Sequence, residues 1–290
     1  MPFLDRLLAD IEHGPRRGDY NARDGGRTTR QLRVVLAGML GLAVTHGALP
    51  ANPMRDVAPS AREQRAEVQH LTVAQAVHLR QRVRRDTMRV PDRRKPNADL
   101  EEFIDLLPGT GCREGEGLAI RPVDLIDLDS DTPLLHVCGT VIEPRTTYVE
   151  RLHRQDTTKT RDDRTLILPD AVATMLRARI ERNQPEPTAP IFASRTGNWL
   201  SPANLRTRLR QAVQRAVESG NEEDLALAGT TLHTLRRTVG TLLAHEVSLD
   251  AAREQLEHRD PSVTYQHHVG KRLIAPDVRS TLDQLLTPLP

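Results

Sequence analysis

The sequence TLHTLRRT at residues 231–238 predicts the start of a helix that carries two anion-binding side chains. Thr230 or Thr231 suits the N-cap position, because a threonine hydroxyl accepts a hydrogen bond from a free N–H of the first turn. His233 and Arg236 stand three residues apart and therefore share one face of the helix. The partial positive charge of the helix N-terminus adds to their attraction for an anion. Taken alone, the pattern fits a surface histidine beside a solvated arginine equally well.

Three other stretches carry candidate partners for the same anion. TGCREGEGL supplies Arg113, on a turn that glycines constrain at the end of an apolar helix. TTKTRDDRTLILP supplies Lys159, on a polar turn between two predicted strands, and the chain has only two other lysines. LEHRDPSVT supplies His258, at the end of a predicted helix. Each residue has an ordinary structural explanation by itself, such as helix capping, a solubilising lysine or a histidine that opposes the helix dipole.

The composition excludes several classes of protein. With 290 residues, 38% hydrophobic and 28% charged, the chain is long enough for one large or two moderate domains. It contains no run of about 18 apolar residues, which excludes a membrane-spanning helix of ordinary length. The N-terminus lacks the apolar core of a signal peptide, so we expect a cytoplasmic protein. Cys112 and Cys138 are then free thiols in a reducing compartment. A net charge of +2 does not by itself indicate a nucleic-acid partner.

The periodicity predicts two regions separated by a polar linker. Residues 1–58 hold a short helix at 2–13 and an amphipathic helix at 28–46, with Thr28 or Thr29 as its N-cap. Residues 59–70 lack an apolar face and form the linker. Residues 71–290 form the second domain. The apolar face of the helix at 28–46 is predicted from Leu32, Val35, Leu36, Met39 and Leu42.

The second domain is predicted to be mainly helical with one small antiparallel sheet. Short β-rich stretches fall at 134–142, 147–152 and 164–169. Helical patterns surround them, beginning after Thr72 as an N-cap and at 100–107, 169–182, 202–218, 232–246 and 249–257. The fold class is therefore mainly α, of the α+β type.

The order and spacing of the four motifs resemble those of the tyrosine recombinase (phage integrase) family over most of the chain. The resemblance implies a small, partial helical core-binding domain at 1–58. It implies a mostly helical catalytic domain with a small antiparallel β-sheet at 71–290. The implied partners are double-stranded DNA at recombination sites and other copies of the chain, as a tetramer on two sites. The protein would then be cytoplasmic and associated with the nucleoid through DNA.

The resemblance also implies a role for each candidate residue. Arg113 and Arg236 would clamp the scissile phosphate with planar hydrogen bonds, which suit a five-coordinate transition state. His233 and His258 would add hydrogen bonds and assist proton movement. Lys159 would give a proton to the leaving 5′-oxygen. A tyrosine would attack the phosphorus and form a 3′-phosphotyrosyl link. No cofactor is consumed and no metal is needed.

Two positions depart from the family pattern. Glu257 stands where relatives carry glycine, and its carboxylate would repel a phosphate and compete for the arginines. His268 stands at the position of the nucleophilic tyrosine. Tyr265, one helical turn earlier on the same face, is the nearest substitute. Three outcomes stay open: cleavage is lost or impaired, Tyr265 attacks after a displacement of about 5 Å along a helix, or His268 attacks and forms a phosphohistidine.

Three hypotheses for function follow. The first is a site-specific DNA recombinase that is impaired at its nucleophile. The alternative is a non-cleaving DNA-binding relative that keeps the phosphate clamp. The third, a metal-dependent nuclease, requires clustered carboxylates or histidines, which the motifs do not supply. The adjacent His267 and His268 would point about 100° apart on a helix, which disfavours a shared metal with His233.

Overall fold

In a computed structural model, the described residues are 25–57, 69–89, 99–144, 151–157, 163–256 and 277–286. The chain separates into two compact units, Met1–Glu67 and Val68–Pro290. The predicted linker at 59–70 and the short helix at 2–13 lie wholly or mostly outside the described residues. Of the described residues, no helix is both long and apolar enough to cross a membrane.

The first unit is built on one helix, α1 (Gly25–Thr45), followed by a 3-10 turn at Pro53–Arg55. Met54 and Val57, both buried, pack against an apolar strip of α1 formed by Leu32, Leu36, Ala37 and Leu40. The Nδ2 atom of Asn52 donates to the carbonyl oxygen of Ala37 at 2.9 Å. This hydrogen bond ties the short return segment to the middle of the helix.

Two predictions about α1 are wrong. The helix already includes Gly25, so Thr28 and Thr29 lie within it and neither is its N-cap. The inward face includes Leu32 and Leu36 as predicted, but Val35, Met39 and Leu42 are 55%, 63% and 61% exposed. The return segment is too short to cover the wider stripe, since it contributes only Met54 and Val57 to the cluster.

The second unit is mainly helical, as predicted. Its helices are α2 (Val73–Arg89), α3 (Asp99–Thr110), α4 (Glu114–Leu118), α5 (Asp170–Asn183), α6 (Pro202–Val217), α7 (Glu222–Leu225), α8 (Leu232–Glu246), α9 (Leu249–Leu256) and α10 (Arg279–Leu282). Phe103, Leu106 and Leu107 of α3 are fully buried and belong to the main core. Thr72 caps α2 as predicted, because its hydroxyl accepts from the backbone N–H of Gln75 at 3.2 Å.

The β-structure is antiparallel but forms two small sheets instead of the single one predicted. In one sheet, β2 (Leu134–Val137) lies between β1 (Leu125–Ile126) and β5 (Arg164–Ile167). In the other, β3 (Thr140–Ile142) pairs with β4 (His153–Gln155). Of the predicted strand at 147–152, only residues 151 and 152 are described, and neither belongs to a strand. The chain is therefore mainly α with small antiparallel sheets, which confirms the predicted fold class.

The described part of the C-terminal segment packs into the second unit's own core. Leu282 in α10 and Leu285 in the following 3-10 turn (Asp283–Leu286) are fully buried. The Nη1 atom of Arg80 donates to the carbonyl oxygen of Leu285 at 3.1 Å. This segment therefore fastens residues near the end of the chain to α2.

Candidate functional site

The centre of the candidate site is a buried carboxylate that several arginines share. Glu116, in the short helix α4, is 2% exposed. Its Oε1 atom accepts from Nη1 of Arg113 at 2.5 Å, and its Oε2 atom accepts from Nη2 of Arg164 at 2.7 Å. Nη1 of Arg236 lies 4.0 Å from the same Oε2 atom. Three guanidinium groups therefore surround one carboxylate.

The local sequence explains how Arg113 reaches this cluster. Helix α3 ends at Thr110, and Gly111 follows with a φ of +68°, a conformation that favours glycine. Arg113 then occupies the N-cap position of α4, and its backbone N–H donates to Oε2 of Glu116 at 3.0 Å. Glu116 thus holds both the backbone and the side chain of Arg113. The glycine turn was predicted to orient the side chain of Arg113, and in the structure Glu116 fixes that orientation.

Arg236 lies one turn into α8 and is 3% exposed. Its Nη1 atom donates to the carbonyl oxygen of Gly111 at 2.6 Å, and its Nη2 atom donates to the carbonyl oxygen of Leu256. These bonds connect the glycine turn with the end of α9. Since a guanidinium group has five N–H donors, the two carbonyls do not exhaust its capacity.

The charges in the cluster alter its titration. Burial alone would raise the pKa of Glu116, but the guanidinium groups of Arg164 and Arg113 outweigh it and lower that pKa to about 2. Burial, followed by the charge of Arg113, lowers the pKa of Arg236 to about 10. Both groups are therefore charged at neutral pH.

His233 lies at the start of α8, next to the N-cap Thr231, whose hydroxyl accepts from the backbone N–H of Thr234 at 3.2 Å. The predicted cap is thereby confirmed. Partial burial, followed by the charges of Arg237, Arg236 and Arg113, lowers the pKa of His233 below its usual 6.5. The ring is consequently neutral at pH 7, with one nitrogen that donates and one that accepts.

The structure brings three of the predicted site residues into one region, namely Arg113, His233 and Arg236. The other predicted site residues lie outside the described residues: Lys159, His258, Tyr265 and His268. Glu257 and His267 also lie outside them. The catalytic role of each of these residues stays a prediction.

Two members of the cluster were missed from the sequence, Glu116 and Arg164. Glu116 had a local signal, because an acid three residues after Arg113 suits a reciprocal helix cap. Arg164 had none, since it meets Glu116 across 48 positions of sequence.

Metal ligands were also sought in the described ranges. There, histidines, cysteines and acids do not gather into a group of three or more that could hold a metal ion.

The chain was compared with protein families, with proteins of curated function and with solved structures. The model of the phage integrase family matches residues 74–272. No protein of curated function matches the chain.

Several solved structures have a fold similar to that of this chain. The integrase of transposon Tn1549, in complex with a circular intermediate DNA, is 18% identical with a TM-score of 0.68, over 93% of this chain and 81% of that chain. A lambda integrase dimer on a COC′ core site is 16% identical with a TM-score of 0.57, over 89% and 78%. A lambda integrase tetramer on a Holliday junction is 17% identical with a TM-score of 0.54, over 89% and 65%. At these identities the likeness establishes the fold.

Proposed function

Because the chain belongs to the phage integrase family of site-specific tyrosine recombinases, we propose that it binds double-stranded DNA and holds one backbone phosphate for transfer without a metal. The catalytic domain is assigned to residues 71–290, the partial core-binding domain to 1–58 and the linker to 59–70. Its partners are DNA recombination sites and further copies of the chain. The Tn1549 and lambda integrases of similar fold are themselves in DNA complexes, as a dimer and a tetramer for lambda, which supports both assignments.

The excess of positive charge around Glu116 supports this proposal most directly. Arg113, Arg164 and Arg236 surround one carboxylate, so these three cations outnumber the acid that they share. Grouping cations is unfavourable unless anions stabilise them. A phosphate diester is such an anion, and guanidinium groups match its geometry with paired hydrogen bonds.

Each side chain then has a role in the transfer. Arg113 and Arg236 hold the non-bridging oxygens and stabilise the charge that develops on them. His233, neutral at pH 7, donates a hydrogen bond to a phosphate oxygen or accepts one from the attacking group. His258 adds a further hydrogen bond, and Lys159 protonates the 5′-oxygen as the bond from phosphorus to that oxygen breaks.

The nucleophile decides between two forms of the proposal. The first is a recombinase that is impaired because His268 replaces the attacking tyrosine, with Tyr265 as the nearest hydroxyl. The alternative is a relative that binds DNA without cleaving it, which the acid at Glu257 and the histidine at position 268 favour. Both forms share the phosphate clamp and differ in whether a covalent adduct forms.

A covalent-adduct assay distinguishes the two forms. The native protein and a His268→Tyr variant are incubated with short duplexes of randomised sequence, each nicked near its centre so that the cleaved fragment is released. Denaturing gels then report protein bound to DNA. We expect an adduct from His268→Tyr alone, unaffected by a metal chelator. An adduct from the native protein that disappears in Tyr265→Phe would instead identify Tyr265 as the nucleophile.

Matched variants test the clamp itself. In the His268→Tyr background, Arg236→Ala is expected to abolish the adduct and to weaken DNA binding, whereas Arg237→Ala removes the exposed neighbouring arginine and is expected to preserve the adduct. DNA binding without an adduct in any variant would favour the non-cleaving form. If neither the native protein nor His268→Tyr binds duplex DNA at low salt, the proposed function is wrong.

A further inference from the structure

Arg164 is a buried arginine for which the roles described above give no task. It is the first residue of β5 and is 7% exposed. In the antiparallel ladder it stands opposite Val137 of β2. A buried position in a small sheet normally favours an apolar side chain, because a buried guanidinium group is costly unless it is paired.

The contacts of Arg164 lead to Glu116 rather than to solvent. Its Nη2 atom donates to Oε2 of Glu116 at 2.7 Å and lies 3.8 Å from Sγ of Cys112. The backbone N–H of Arg113 donates to the same Oε2 atom, and the Arg113 guanidinium binds the other oxygen. The carboxylate of Glu116 is thus fixed between β5 on one side and Arg113 on the other.

Charge neutrality alone does not require Arg164. Arg113 already gives Glu116 one full counter-charge at 2.5 Å. Arg113 holds the carboxylate from one side, through its backbone N–H and its side chain, whereas the guanidinium group of Arg164, anchored in a strand, fixes it from another element. Among the groups that lower the pKa of Glu116, Arg164 has the largest effect.

We infer that Arg164 is a positioning residue for the phosphate clamp: from the start of β5 it fixes the Glu116 carboxylate, which in turn orients the guanidinium group of Arg113. This inference rests on the proposed function. Arg164 is largely closed off from solvent and turned toward Glu116, so it acts on a bound phosphate through Arg113.

Inorganic phosphate is the probe for this inference, because it tests the clamp of the native chain without DNA cleavage. Thermal unfolding of the full chain is followed in sodium phosphate and in sodium chloride of equal ionic strength. Phosphate is expected to raise Tm, and Arg113→Ala is expected to reduce this rise. The difference between the two rises measures binding of phosphate at the clamp. Titration of phosphate converts this part into a dissociation constant.

Arg164→Met is expected to weaken the Arg113-dependent binding of phosphate by about tenfold, the size of one lost charge-assisted contact. Arg164→Lys keeps a cation beside Glu116 without the planar group, and it is expected to restore part of the loss. In an Arg113→Ala background, Arg164→Met should have no further effect on phosphate binding, since both act through one group. If Arg164→Met does not fold, Arg164→Lys gives the same comparison, with a smaller expected loss of phosphate binding.

Arg80→Met is the matched control. Arg80 is 6% exposed and its Nε atom donates to Asp105 at 2.6 Å, so it resembles Arg164 in burial and in pairing with an acid, but the acid is Asp105 and not Glu116. This variant is expected to lose stability and to keep its phosphate binding. The inference is overturned if Arg164→Met binds phosphate as the native protein does, or if Arg80→Met loses binding equally. The absence of any Arg113-dependent shift in the native protein would overturn the proposed clamp itself, and a positioning role with it.

Discussion

Two buried acids in the second unit, Glu116 and Asp224, have similar burial and very different surroundings. Glu116 is 2% exposed and Asp224 is 1% exposed. Asp224 accepts from the hydroxyl of Ser219 at 2.6 Å and from Nε2 of His78 at 2.8 Å, and Nε of Arg82 lies 3.0 Å away. Although burial opposes it, these contacts lower the pKa of Asp224 below its usual value.

The two acids differ in the number of permanent cations around them. Among the described residues, Asp224 contacts one permanent cation, Arg82, and a histidine that Glu223 also approaches at 3.6 Å. Glu116 has three permanent cations around it. A buried acid with a balanced set of partners needs no further ion, and it joins α2 to α7 as a structural connection. A buried acid that three guanidinium groups share is the arrangement that the proposed phosphate clamp uses.

The largest expected effect comes from removing the central acid. Glu116→Gln removes the carboxylate that three guanidinium groups share, and it is expected to lower the free energy of unfolding by about 3–5 kcal/mol. Sulfate should restore part of this loss, because it replaces the missing negative charge. Asp224→Asn serves as the comparison and should gain less from sulfate. Urea unfolding in chloride and in sulfate of equal ionic strength measures both, and an equal sulfate response would remove the proposed distinction.

Acid should weaken the Glu116 cluster over a defined pH range. The pKa of Glu116 is lowered from 4.5 to about 2, which corresponds to about 3 kcal/mol of stability. Between these values the unfolded chain binds more protons, so this stability is present above pH 4.5 and is lost as the pH falls toward 2. Urea unfolding from pH ~6 to ~3 should show the loss. Glu116→Gln should flatten the curve in this range, and an unchanged curve would contradict the assigned cause.

A smaller effect is expected from changing the shape of a cation at the site. Arg236→Lys keeps the charge but reaches only one of the two carbonyls, those of Gly111 and Leu256. We expect a loss of about 1–2 kcal/mol in the free energy of unfolding. The control Arg237→Lys changes an exposed arginine on the same helix and should be close to neutral. Equal losses in the two variants would show that the carbonyl bonds of Arg236 contribute little.

The smallest expected effect concerns His233. NMR titration of its ring should give a pKa below 6.5, and Arg237→Gln should raise this value because Arg237 is the first of the charges that lower it. A depressed histidine pKa means that protons bind the unfolded chain more readily. His233 therefore favours the folded state more as the pH rises through the interval that ends near 6.5. A pKa at or above 6.5 would contradict this assignment.

The sequence predicted those features of the site that depend on local rules. Thr231 as a cap and α8 at Leu232–Glu246 follow from capping and periodicity within a few residues. The glycine turn that carries Arg113 was likewise visible. Burial and long-range pairing were not: Arg164 begins β5, and its contact with Glu116 depends on how the sheet packs against α4. The apolar stripe of α1 was wrong for the same reason, since tertiary partners decide which of its apolar residues are covered.

Residue 111 has no room for a side chain. A Cβ atom there would lie 2.6 Å from Cδ2 of Leu256, on a backbone whose φ is already +68°. Single-base changes convert glycine codons into several bulkier amino acids. Any of them would strain this backbone and displace the side chain of Leu256, the residue whose carbonyl accepts from Arg236. One substitution at this uncharged turn is therefore expected to disturb the contacts of Arg236 while leaving every arginine and histidine of the site in place.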